Sequence, residues 1–99
     1  MNSSSESIAR PIATTVHVTE ETLTVELTDG RTVSVPTIWY PRLGYATAEE
    51  RQSWEFISGG SGIHWQAVDE DISVEALLAG KGSSESQESL RRWLNERCV

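Results

Sequence analysis

Basic residues are scarce in this chain. Eight Lys and Arg stand against fifteen Asp and Glu, leaving a formal charge of −7 and a pI near 4.7, and Lys81 is the only lysine. Such a surface repels phosphates and offers no basic stripe to release counterions from DNA, so direct nucleic-acid binding is not expected. The natural electrostatic complement is a basic protein partner. Cysteine occurs once, as Cys98, which excludes an intrachain disulfide framework and suits a reducing cytoplasm. No apolar run approaches the ~20 residues that span a bilayer, and Met1–Ser7 is polar with no hydrophobic signal core. The expectation is a cytoplasmic protein that does not engage a membrane. Ninety-nine residues, 37% of them hydrophobic, allow a single domain with one modest core.

What is present is organised. Residues 1–12 are Ser-rich and aperiodic, and read as a flexible arm. From Thr14 onward Val16 and Val18, then Leu23, Val25 and Leu27, then Val33 and Val35 alternate with polar residues, the period-two pattern of strands with one buried face. The pattern predicts an antiparallel meander over 14–19, 22–28 and 31–35. Glu20-Glu21 supplies the first turn and Asp29-Gly30 a type I′ second turn. Pro36 ends the meander by removing a ladder donor.

Helices are expected after it. Pro41-Arg42-Leu43 suits one helical turn, and Thr47-Ala48-Glu49-Glu50 reads as a capping box opening a helix over 48–54. Phe56-Ile57 either ends that helix or begins a short edge strand. Ser58–Gly62 is a loop by composition, and Ile63-His64-Trp65 reads as extended. Ser73 caps a helix over 74–79 that Gly80 stops. Beyond residues 81–83, Ser84 and Gln87 suggest another capping box, opening a C-terminal helix over 85–96 with Leu90, Trp93 and Leu94 on one face. The chain thus divides into an arm (1–12), an α+β domain (13–80), and a linker with an appended helix (81–99). The break at 80–84 frees that helix from the family domain, and a face so narrow needs something to dock on, either its own domain or, as favoured here, another copy or a partner protein.

Two dense blocks carry a family resemblance. Pro36-Thr37-Ile38-Trp39-Tyr40-Pro41-Arg42-Leu43-Gly44-Tyr45-Ala46-Thr47 and Gly62-Ile63-His64-Trp65-Gln66-Ala67-Val68-Asp69-Glu70-Asp71-Ile72-Ser73-Val74, with the strands before them, resemble a small bacterial domain family of unknown function, the DUF2442 type, in which a "prL..AT.eqR" stretch is followed by "GihWp.lDEDis...LL.G". The resemblance covers about residues 16–80. It implies a compact domain with a small antiparallel sheet on short helices, and it brings no catalytic residues. Members resemble one half of two-gene arrangements of the toxin–antitoxin kind. Gln66 replaces the Pro common after the second block's Trp, which bears on the rigidity of that loop.

Candidate chemistry is thin. Asp69-Glu70-Asp71 with Ser73 supplies hard oxygen donors, but the Gly and the later Glu of a calcium loop are missing, so helix-start electrostatics is the simpler reading. His17 and His64 have no His or Cys partner at ligand spacing. Gly59-Gly60-Ser61-Gly62 lacks the Gly-Lys-[Ser/Thr] end and the following helix of a phosphate loop. Ser61 and Cys98 lie in no nucleophile motif. No enzyme activity, metal or cofactor is expected.

Trp39, Trp54, Trp65 and Trp93 stand out as four tryptophans in 99 residues. Trp54 and Trp65 are assigned to the core. Trp39 and Tyr40, between Pro36 and Pro41, are expected as an exposed aromatic pair with Arg42 beside them, suited to a protein partner. The favoured function is therefore a non-enzymatic interaction or regulatory module, in its finer form the acidic, antitoxin-like partner of a basic protein. Its candidate contacts are Trp39, Tyr40, Arg42, Leu90, Trp93 and Leu94. The alternative is a small-ligand or nucleotide sensor using Gly59, Gly60, Gly62, His64 and Trp65.

Overall fold

The computed structural model describes residues 11–97. Most of the expected arm, and Cys98, lie outside the described residues. The fold is α+β, with two three-stranded antiparallel sheets, short helices and a C-terminal helix.

Strands β1 (Ala13–Val18), β2 (Thr22–Leu27) and β3 (Thr32–Pro36) form the meander in the order β1-β2-β3. Val16 lies opposite Val25, which lies opposite Val33, and Val18, Leu23 and Val35 form the next row. Directly opposed residues share a face, so these rows face the core together. The first turn is fixed by Thr19, whose hydroxyl accepts from the amides of Glu21 (3.2 Å) and Thr22 (2.9 Å).

The second turn corrects the type I′ expectation. The Gly30 amide donates to the Leu27 carbonyl (3.1 Å) and the Leu27 amide to that of Arg31 (2.9 Å), while only Gly30 has positive φ, at +93°. This is a three-residue loop, a turn through Thr28-Asp29 followed by a left-handed glycine. Asp29 sets it by accepting from the Arg31 amide (3.0 Å) instead of adopting positive φ itself.

The second sheet was only partly anticipated. Strands β4 (Trp54–Ile57), β5 (Gly62–Trp65) and β6 (Glu70–Ser73) pair in the order β4-β5-β6. Trp54, Trp65 and Glu70 form one row and Phe56, Ile63 and Ile72 the next on the same face, while Glu55, His64 and Asp71 align on the other. Trp65, Ile63 and Ile72 are buried in one cluster with Val16, Val18, Leu23, Val25 and Val35 of the meander. Trp54, expected in the core, is only half-buried at the sheet's edge against Phe56, with ring centroids 5.0 Å apart. Of the acids expected ahead of the helix at Val74, Glu70 and Asp71 are paired in β6, which leads into that helix, and Asp69 precedes the strand with φ +54°.

The short helices follow their caps. α1 (Pro41–Gly44) starts on proline. α2 (Ala48–Gln52) opens on the expected capping box, with the Glu50 amide donating to Thr47 Oγ1 (3.1 Å) and the Thr47 amide to Glu50 Oε1 (2.9 Å). It ends earlier than expected, because Trp54 joins β4. α3 (Val74–Leu78) is capped by Ser73 Oγ, which accepts from the Ala76 amide (2.9 Å). Gly80, at φ +76°, closes it while the Lys81 amide reaches the Ala76 carbonyl and the Gly80 amide that of Leu77.

α4 (Gln87–Arg97) is capped by Ser86, whose hydroxyl accepts from the Ser89 amide (3.0 Å), correcting the Ser84–Gln87 box. Ser84 is displaced from that role because residues 81–85 are tied to the domain. The Ser83 amide donates to the Trp39 carbonyl (2.9 Å), and the Tyr40 hydroxyl donates to that of Lys81 (2.6 Å).

Candidate functional site

The turn at residues 37–45 is the junction of the molecule. Thr37 is fully buried, its hydroxyl donating to the Thr19 carbonyl (3.0 Å) and its amide to that of Glu21 (2.9 Å). The chain therefore enters the turn pinned to the acidic β1–β2 hairpin. Tyr40 is 3% exposed, which corrects the expected surface pair. A tight turn between two prolines swings Tyr40 inward to Lys81, while Ile38 (76% exposed) and Tyr45 (58%) point out.

Arg42 is engaged within its own chain. Its Nε donates to Glu85 Oε1 (2.9 Å), Nη2 to Glu85 Oε2 (2.5 Å) and Nη1 to the Val68 carbonyl (3.0 Å). The bidentate pair holds the Glu85 carboxyl below its ordinary range and raises Arg42 above its own. Arg42 also lies over the Trp93 ring (4.9 Å from Cζ to centroid), and Arg97 lies over the same ring at 4.7 Å. Arg97 in turn pairs with Glu50 (2.8 Å), so the carboxylate of the α2 capping box also anchors α4. Trp93 packs against the core, and the expectation that this helix stands free of the domain is corrected: polar groups of the domain supply the dock its narrow apolar face needs.

A cavity of about 480 Å³ lies between β6 and the 82–85 segment, walled by Tyr40, Arg42, Asp69, Glu70, Ile72 and Glu85. Glu70 is its distinctive group. On the core-facing row beside Trp65, it is pushed up to about 7, first by desolvation and then by Glu85, against the pull of Arg42. Burial and the Glu70 charge also raise the Tyr40 phenol. The cavity thus contains a carboxyl that changes charge near neutrality. Among the described residues, no group of three or more His, Cys, Asp or Glu side chains is placed to hold a metal.

A second cleft, of about 380 Å³, is lined by Glu20, Ile38, Pro41, Gly44, Tyr45 and Leu90. It joins the pinned hairpin, the 37–45 turn and α4. Leu90 and Leu94 are half-buried, leaving part of the helix's apolar face beside the exposed Ile38 and Tyr45. Of the residues singled out from sequence, this cleft gathers only Leu90. Trp39, with 37% exposure, is not on its wall. The sequence reading missed Ile38 and left Tyr45, one of its interface-type aromatics, out of the candidate contacts; an isolated Ile beside Trp39 and a Tyr after Gly44 have no periodic pattern to mark their outward placement.

Two glycines of the 59–62 segment are committed to packing, while the space beside Gly59 is open. A Cβ on Gly60, at φ +99°, would lie 2.5 Å from Ile12 Cγ2, and one on Gly62 would lie 2.9 Å from Ile57 Cγ1. His64 and Trp65, adjacent on β5, point to opposite faces. Trp65 is fully buried and donates from Nε1 to the Arg51 carbonyl (3.1 Å), whereas His64 pairs with Asp71 on the outer face, which raises its imidazole. Trp65 and His64 therefore do not share one wall; His64 lines a separate cleft of about 460 Å³ with Ser53, Trp54, Glu55, Gln66 and Ala67. Arg51 itself is buried and donates to the Ala46 carbonyl (2.6 Å), bracing the end of α2 against the turn.

The comparisons agree with this architecture. A protein of unknown function from Rhodospirillum rubrum ATCC 11170 superposes with a TM-score of 0.68 at 25% identity, over 80% of this chain and 98% of that one. An uncharacterized protein from Chromobacterium violaceum superposes at 0.63 with 22% identity, over 87% of this chain and 75% of that one, which is a likeness of fold. No curated protein matches the chain. A family model for proteins of unknown function, DUF2442, matches residues 13–83, taking in both sheets and stopping short of α4. The chain belongs to the DUF2442 family.

Proposed function

We propose that this chain is a non-enzymatic protein-interaction module whose partner docks on the Ile38–Tyr45–Leu90 cleft. The observation that carries the reading is the outward placement of Ile38 and Tyr45, 76% and 58% exposed, around an apolar cleft on a rigid turn. Large apolar side chains grouped in a concavity are the usual mark of a partner site, and a pinned turn presents them without an ordering cost. The charge of −7 favours a basic partner. In its finer form the module is a cytoplasmic, antitoxin-like regulator that holds such a protein in an inactive complex.

The test is capture from the native host with tagged wild-type chain and with Ile38→Asp, an exposed position whose change leaves the core untouched. A basic protein retained by the wild type, released by Ile38→Asp, and rebinding as a purified component supports the reading. Equal retention by both forms rejects it.

A further inference from the structure

The chemistry of the cleft wall specifies what kind of segment it receives. Its volume, about 380 Å³, sits at the lower end of the ~300–1,000 Å³ typical of ligand clefts, so it accommodates one or two side chains instead of a folded element. Ile38, Pro41, Tyr45 and Leu90 make most of its wall apolar, and Glu20 is the only charged residue lining it. The backbone that carries it is held in place: Thr37 bonds to the carbonyls of Thr19 and Glu21, on either side of Glu20, and so fixes the hairpin tip next to Ile38, while the exposed Glu20 side chain reaches from it. Glu21, the next residue, is also exposed. The cleft thus pairs an apolar hole with an acidic lip carried on a pinned hairpin.

We infer that the cleft binds a short basic segment of the partner, inserting one large aliphatic or aromatic side chain between Ile38, Tyr45 and Leu90 while a flanking Lys or Arg pairs with Glu20. This rests on the protein-interaction reading and adds to it the chemistry of the bound segment. The apolar anchor supplies most of the affinity by leaving water, and the charge pair supplies selection, since an acidic segment meets repulsion at the same lip. A second copy of this chain is a poorer occupant: at −7 each, two copies repel, and each brings its own Glu20 to the contact.

Three capped hexapeptides test the inference on the full chain labelled with nitrogen-15: KKLFKK, EELFEE, and KKSSKK without the anchor. KKLFKK is expected to shift amides of residues 20–21, 38–45 and 90, and to bind at least about tenfold more tightly than either other peptide at low salt. Raising salt to about 0.5 M should narrow its advantage over EELFEE, because the Debye length contracts. Glu20→Lys, at an exposed turn position, should reverse the order, so that EELFEE binds more tightly than KKLFKK.

Binding without charge preference, or an unchanged preference in Glu20→Lys, overturns the basic-segment inference. If Ile38→Asp still abolishes partner capture in that case, the cleft remains the interaction site and only the segment's chemistry is wrong. Failure of all three peptides to shift the cleft amides at millimolar concentration, or shifts produced by self-association alone, also overturns the inference.

Discussion

Trp65 and Trp93 belong to the same folded body and are held in opposite ways. Trp65 is fully buried between the two sheets, with its one polar atom bonded to the Arg51 carbonyl. Trp93 is half-exposed on α4, a helix with no fully buried residue, and two guanidiniums, each anchored by a glutamate, lie over its ring. The sheets are held mainly by removal of apolar surface from water, which salt scarcely screens and on which pH acts chiefly through Glu70. The helix is held by charge pairs and stacking, which salt and acid both weaken. The two regions should therefore respond to different perturbations, although the helix completes the cleft.

The largest effect is expected in the core. Trp65→Ala should cost roughly 3–5 kcal/mol, read from the shift of the urea midpoint, against about 1–2 kcal/mol for Trp93→Ala, which empties no enclosed space. Equal costs would break the distinction. Gly30→Val comes next, with a loss of about 1–3 kcal/mol. Its Cβ position is open, so the cost comes from φ at +93° and not from crowding. A β-branched residue that left the midpoint unchanged would mean that the hairpin tolerates another turn.

Acid titration separates the regions further. Glu70 has its folded pKa raised to about 7 by burial, so the folded chain binds more protons than the unfolded one between about 4.5 and 7. Its contribution is fully present below the unfolded pKa and lost as pH rises through 7. Glu70→Gln should therefore remove a fall in stability between pH 5 and 8 and leave the variant about 1–2 kcal/mol more stable at pH 8, discounted for the water the carboxyl still reaches.

Glu85 and Glu50 run the other way. Their folded pKa values are lowered, by Arg42 and by Arg97, so their contribution is present above the unfolded carboxyl pKa and lost as pH falls through the depressed values. On acidification α4 should loosen while Glu70 protonation favours the sheets. The signature is early loss of hydrogen-exchange protection in residues 87–97 with strand amides still protected. Arg42→Gln should produce the same local loss at neutral pH, with a global cost of about 1 kcal/mol. Simultaneous loss of strand and helix protection in either experiment would show that they form one cooperative unit.

The two regions also differed in how far the sequence revealed them. The meander was plain from Val16 to Val35, because a sheet with one wet face writes its geometry as alternation. The second sheet was obscured by four-residue strands and by Glu70, an acid on the core-facing row where a hydrophobic pattern has no place for one. Helix α4 was legible in its period, but its partners were not: Arg42 and Glu85 are 43 residues apart, and nothing local in either marks the other. The cleft was the least legible feature. It depends on a buried Thr37 fixing which neighbours in a non-periodic turn face outward, so Tyr40 went to the core and Ile38 and Tyr45 to the surface.

The most direct test of the account is the affinity of purified partner for wild-type chain and for Leu90→Asp, measured beside the melting temperature of each. Leu90 is half-buried, belongs to the polar-pinned helix and lies outside the residues matched by the family model, yet it lines the cleft. The account predicts at least about a tenfold loss of affinity with melting lowered by only a few degrees. Undiminished binding by Leu90→Asp would contradict it, leaving the helix no part in the site.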